Sequence, residues 1–211
     1  MRISILCSDA NHPVNDYLNR WMMRHAEHDI VMFRHQNSLL GGDLLFLVSC
    51  GELVRSAVRA KFKKVLIIHA SDLPKGRGWS PHVWQIINGC EQLQLTLLEA
   101  ENEVDSGAIW EKISLDIPRD TLHDEIYKIL FEAECRLMDF AVAHFSDVVP
   151  VPQSTHITPS YYQKREPHDS RLDPYKNIAE QFDLMRVCDP ERYPTYFHFR
   201  GCMYRIRLDK I

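Results

Sequence analysis

An α/β fold with an open, mostly parallel sheet and flanking helices is what this sequence predicts, on three observations. Short apolar runs alternate with helical patterns along the first hundred residues. Those runs are nearly continuous in Leu, Ile and Val, as strands covered on both faces should be. Loops carrying glycine and proline stand where the runs end.

Arg2-Ile3-Ser4-Ile5-Leu6-Cys7 reads as the first strand. Asn15 to Ala26 places Tyr17, Leu18, Trp21 and Met22 at helical spacing. Ile30–Phe33 and Leu44–Val48 are brief strands, the second entered through Gly41-Gly42-Asp43. A helix is predicted over Leu53–Phe62 and a strand over Val65–His69. Ser80-Pro81 starts another helix, because proline is favoured in a first turn. Leu93–Leu98 and Ala108–Leu115 read as strands joined by the acidic turn Glu99–Gly107.

Asp120 to Phe145 is the longest helix expected, with Leu122, Ile126, Ile129, Leu130, Ala133, Leu137 and Phe140 on one stripe and Asp120 or Thr121 as N-cap. Five prolines between Val148 and Pro174 predict an irregular traverse. A short helix over Lys176–Val187 and a hairpin turning at Arg200-Gly201 end the chain. The expected division is therefore 1–147 for a catalytic domain and 148–211 for a linker, helix and hairpin packed on or extending it.

A chain of 211 residues can bury one sizeable core but is short for two full domains. Its formal charge of -4 exerts no general pull on nucleic acid or an anionic membrane, so neither is an expected partner, and an acidic ligand must be held locally. No apolar run approaches bilayer length. Six scattered cysteines, with no CxxC pair and no signal peptide, suggest reduced thiols and a cytoplasmic location.

Chemistry in such a sheet gathers in loops at strand ends. After the first strand, Ser8-Asp9-Ala10-Asn11-His12-Pro13 opens a helix whose free N–H groups suit a phosphate, with a plain N-cap as the equal alternative. After Val65–His69, the stretch Pro74-Lys75-Gly76-Arg77-Gly78 lets an anionic group approach two cations, while His69 supplies an imidazole able to move protons near neutrality. The turn Glu101-Asn102-Glu103-Val104-Asp105 presents carboxylates, and an Asp near a His can fix its tautomer.

His69-Ala70-Ser71-x-Leu73-Pro74, Arg77-Gly78, Pro81-x-x-Trp84 and Asp105-x-Gly107-x-Ile109 together resemble the 10-formyltetrahydrofolate-dependent formyltransferase superfamily, over Met1 to about Phe145. Its Rossmann-like formyltransferase domain is then the expected fold. Tyr161-Tyr162-Gln163-Lys164-Arg165-x-Pro167-x-Asp169-Ser170-Arg171-Leu172-Asp173 is similar to the linker of members acting on nucleotide-linked amino sugars. Ile178 to Val187, Tyr193-Pro194 and Gly201 look most like members of pseudaminic acid pathways, which act on a UDP-linked 4-amino-4,6-dideoxy sugar derived from N-acetylaltrosamine.

That resemblance implies a formyl donor, 10-formyltetrahydrofolate, and a nucleotide-linked amino sugar as acceptor, with a dTDP-linked 4-amino-4,6-dideoxyglucose as the alternative. It implies His69 beside the formyl group, deprotonating the amine and stabilising or protonating the tetrahedral intermediate, and Asp105 holding His69 in its productive state. Cys50, Gly51, Glu52, Leu53, Glu101, Asn102, Val104 and Asp105 are the implied folate contacts. Asn11, His12, Lys75, Arg77, Gly78, Tyr161, Tyr162 and Arg165 are the candidates for the sugar nucleotide.

One position departs from the family. Where members carry an asparagine two residues before the histidine, this chain has Ile67, which cannot donate to an oxyanion. Ser71, Asn11 or a protonated His69 are the candidate substitutes; failing these, the chain is slow or is an inactive folate or nucleotide binder.

A tRNA-directed member is expected to add a basic C-terminal domain, and a formyltetrahydrofolate hydrolase an N-terminal one; neither fits here. His25 and His28, three apart on a helix with His35 beyond, have a spacing zinc can use, but no carboxylate or cysteine completes the set, so no metal is expected. The aromatic C-terminal hairpin could bury a homodimer interface, stack a base or cover the sheet, and covering with self-association is preferred.

Overall fold

The computed structural model describes all of residues 1–211. Six strands form one sheet: β1 (Arg2–Leu6), β2 (Asp29–Phe33), β3 (Gly42–Leu47), β4 (Phe62–His69), β6 (Gln92–Glu99) and β7 (Ile109–Asp116), in the order β2-β1-β3-β4-β6-β7. The first four run parallel, and β6 and then β7 add antiparallel. Alternate side chains enter two cores, which explains the continuous apolar runs. Leu44 and Phe46 join Ile3, Ile5 and Leu66 on the larger side, while Leu45 and Leu47 join Leu6 and Val65 on the smaller.

The larger core is closed by α1 (Val14–Arg24), α3 (Pro81–Ile87) and α4 (His123–Ala143) through Leu18, Trp21, Val83, Ile86, Leu130, Leu137 and Met138. After the proline-rich traverse come α5 (Ile178–Val187) and a hairpin of β9 (Thr195–Phe199) and β10 (Cys202–Ile206). Val187 belongs to the larger core, and buried Arg186 donates to the carbonyls of Pro118 and Thr121. The C-terminal segment is thereby sealed onto the first 147 residues. All six cysteines are free, and no helix is long and apolar enough to cross a membrane.

Three local expectations are corrected. The helix predicted over Leu53–Phe62 is a single turn, α2 (Ser56–Arg59), because Phe62 pairs with Gly42 and opens β4. The apolar spacing of Val54, Val58 and Phe62 serves the smaller core without a continuous helix. The N-cap of α4 is Leu122 rather than Asp120 or Thr121: the Thr121 hydroxyl donates to Pro118 O, and Glu125 reaches back to accept the Leu122 N–H. The traverse is not wholly irregular, since β8 (Tyr161–Tyr162) pairs in parallel with β5 (Arg77–Gly78).

Candidate active site

β4 ends on His69, whose buried ring sits level with fully buried Thr96 across the sheet. The Thr96 hydroxyl donates to Ser71 O at 2.7 Å, pinning the chain just past the strand end. From there Gly76 brings its carbonyl to 2.8 Å from His69 Nε2. A carbonyl only accepts, so it assigns a proton to Nε2.

The other ring nitrogen faces a carboxylate. The β6–β7 turn leaves the sheet level with Val65, where the Ala100 N–H donates to Val65 O, and folds back so that Asp105 Oδ2 stands 3.5 Å from His69 Nδ1. Asp105 holds a left-handed backbone at φ 51°, and its Oδ2 also accepts the Gly78 N–H at 2.9 Å. At 3.5 Å the pair is too long for a direct hydrogen bond. Each ring nitrogen nonetheless faces an oxygen acceptor, Gly76 O on one side and Asp105 on the other.

Around this pair a second layer fixes the turn. Arg77 is buried, and its guanidinium is engaged by Glu103 at 2.7 Å, Tyr161 OH at 3.1 Å and Gln153 Oε1 at 2.9 Å. Gln153 Nε2 donates onward to the carbonyls of Asp105 and Gly107. Tyr161 OH donates to Glu103, and the β5–β8 ladder ties the same tyrosine to Arg77 through the backbone. Gly78 must be glycine here, because at φ 98° a Cβ would stand 2.4 Å from Tyr162 O.

The two segments expected to hold folate are joined by one side chain. Arg59 donates to Val54 O at 2.8 Å and to Asn102 Oδ1 at 2.6 Å, linking the loop after β3 to the β6–β7 turn. Leu53 and Val104 are exposed on these segments, as are Glu101 and Asn102. The N–H groups of Glu101, Asn102 and Val104 make no hydrogen bond within the chain. Gly51 donates to Ser8 Oγ, Cys50 Sγ to Glu52 O, and Glu52 accepts from Gln36 N, which chiefly holds its carboxyl below the usual range. Exposed apolar side chains beside free backbone donors are a surface that suits a flat heterocycle.

Among the remaining candidates, Lys75 and Asn11 are exposed. Arg165 is engaged by Asp169 O and Ser170 Oγ, and Tyr162 stacks on Trp84 at 6.5 Å. His12 Nδ1 accepts the Val14 N–H, and the Asn15 N–H goes to His12 O. Ser71 is buried beside Gly76, and its Oγ has no partner. Ile67 is partly buried and packs against the smaller core.

Several residues here carry no sequence signal of their own. Gln153 and Thr96 are single polar residues in apolar or proline-rich surroundings. His82 is sealed on α3, with Nε2 unpartnered, and burial pushes its pKa down to about 3. With His12, lowered to about 4 by burial and then Arg192, and with His123, it surrounds Tyr127, whose hydroxyl burial pushes up to about 12. Only spatial proximity reveals this group.

The solved methionyl-tRNA formyltransferase from Clostridium thermocellum is similar at TM-score 0.81 and 17% identity, covering 98% of this chain and 97% of that one. Because that match spans nearly all of its chain, length does not separate tRNA-directed from sugar-directed members. A sugar N-formyltransferase from Shewanella sp FDAARGOS_354 matches at TM-score 0.75 and 17% identity over 99% of this chain and 97% of that one. HypX from Aquifex aeolicus in complex with tetrahydrofolic acid matches at TM-score 0.77 and 22% identity over 96% of this chain, which spans 36% of HypX. Residues 5–142 match the family model described as formyl transferase, and with more than half of its length so matched the chain belongs to the formyl transferase family.

Proposed function

We propose that this protein is an N-formyltransferase that moves a formyl group from 10-formyltetrahydrofolate to the 4-amino group of a nucleotide-linked deoxyamino sugar. The substrate favoured is UDP-4-amino-4,6-dideoxy-N-acetyl-altrosamine, as in formylated pseudaminic acid synthesis. Supporting the reaction class is the buried imidazole of His69 held between Gly76 O and Asp105. Supporting the acceptor are the linker motif Tyr161–Asp173 and the weaving of its two tyrosines onto the His69 loop.

The folate would lie against Leu53, Val104 and the free N–H groups of the β6–β7 turn, and it supplies the activated formyl carbon. His69 Nδ1 would take a proton from the attacking amine as it adds to the formyl carbon, Asp105 and Gly76 O would stabilise the resulting cation, and His69 would return the proton to the folate nitrogen as its bond to the formyl carbon breaks. The Ser71 hydroxyl, buried and unpartnered, is the group we assign as donor to the oxygen that gains charge, in place of the side chain Ile67 lacks. Lys75, Asn11 and Tyr162 would meet the nucleotide.

The test is mass spectrometry of UDP- and dTDP-linked amino sugars incubated with the protein and 10-formyltetrahydrofolate. A formyl adduct on the UDP-4-amino sugar, reduced about 10²–10⁴-fold by His69→Ala, is the expected result. Formylation of initiator methionyl-tRNA with no sugar adduct would replace the acceptor. Folate binding without turnover on either would leave an inactive binding protein.

A further inference from the structure

Far from His69, the fold supplies what the sequence withheld from His25 and His28. Glu27 Oε1 lies 3.5 Å from His25 Nδ1 and 3.7 Å from His28 Nε2, and the three donor atoms lie within 4.8 Å of one another. Ligands about 2.0–2.2 Å from a tetrahedral zinc stand roughly 3.4 Å apart, so little movement would close the set.

A second observation lies on the other side of the His25 ring. Nε2 meets Asp139 Oδ1 at 2.8 Å, and the same oxygen accepts Trp21 Nε1 at 2.6 Å. Trp21 is fully buried and lies 4.4 Å from the His25 ring, fixing its orientation. With Nε2 held by Asp139, the other ring nitrogen of His25, Nδ1, faces the Glu27 carboxylate. A carboxylate behind one imidazole nitrogen is also the device that orients metal-ligating histidines.

We propose that His25 Nδ1, Glu27 and His28 Nε2 form a three-ligand site for a divalent ion of the zinc class, with Asp139 positioning His25 and water in the fourth place. The histidine side chains are 19% and 18% exposed and Glu27 is 60% exposed, so an ion has access. The site lies where α1 ends and β2 begins, at the strand-start edge opposite His69. A bound ion there would tie the end of α1, through Asp139, to α4.

The experiment uses the full chain without a histidine tag, stripped with chelator and titrated at pH 7.5 with Zn²⁺ by calorimetry and with Co²⁺ by absorption. One equivalent per chain, a four-coordinate Co²⁺ spectrum and a zinc-dependent rise in Tm are expected. His28→Ala should abolish all three, and Asp139→Asn should weaken affinity about 10–100-fold. No stoichiometric binding, or binding that survives both His28→Ala and Glu27→Gln, would overturn the site.

Discussion

At the level of single residues, the pair at the strand end carries the most specific expectation. Asp105→Asn keeps an oxygen for the Gly78 N–H but removes the charge facing His69 Nδ1. Turnover should fall about 10²-fold with little change in KM, as steady-state kinetics would show. Ser71→Ala separates two effects. Its Oγ makes no hydrogen bond, so removing it should leave Tm unchanged or higher. If that hydroxyl is the oxyanion donor, kcat falls about 10²–10³-fold; an unchanged kcat would move the role to another group. His69 and Asp105 were legible because they close a spaced motif. Gln153 and His82 were not, since a lone glutamine between prolines and a histidine inside an apolar helix differ from ordinary residues only through what folds against them.

Elements tell a similar story. The strands were readable because a sheet covered on both faces needs continuous apolar runs, and Leu44 to Leu47 alternate between two cores as that requires. Residues 53–62 misled because Val54, Val58 and Phe62 satisfy helical spacing while β4 claims Phe62 for its ladder, and tertiary pairing overrode local pattern. The β5–β8 pair was illegible at two residues per strand, yet it holds the His69 loop. Gly78→Ala tests its weight: a Cβ 2.4 Å from Tyr162 O, at φ 98°, must push the linker away. Destabilisation of more than about 1 kcal/mol is expected in denaturant titration, with lost transferase activity as the Asp105 turn loosens. Wild-type stability and rate in that variant would mean the linker is not needed to shape the site.

For the whole molecule, buried ionisable groups set where in pH the fold is most stable. His12 and His82 are held neutral down to about 4 and about 3, chiefly by burial, and His123 is also lowered. Below about pH 6.5 the unfolded chain takes up protons that these folded histidines refuse. Stability should therefore be lost as pH falls from 6.5 toward 4, at about 1.4 kcal/mol per pH unit for each of His12 and His82. Glu134 acts in the opposite direction: with Oε2 sealed and unpartnered, burial pushes its carboxyl up to about 8. Between about 4.5 and 8 the folded state keeps a proton that the unfolded chain releases, so this contribution declines as pH rises. The opposing slopes place the maximum near pH 6.5, which unfolding in urea at pH 5, 6.5 and 8 would reveal. Glu134→Gln, which keeps the shape without the titration, should raise stability at pH 8 relative to wild type while leaving the acid limb steeper. His82→Phe should lower the acid slope by about 1.4 kcal/mol per pH unit, because its Nε2 gives up no partner. An acid limb unmoved by His82→Phe would show that this ring already takes up its proton in the folded protein, through an opening that the sealed position on α3 does not provide.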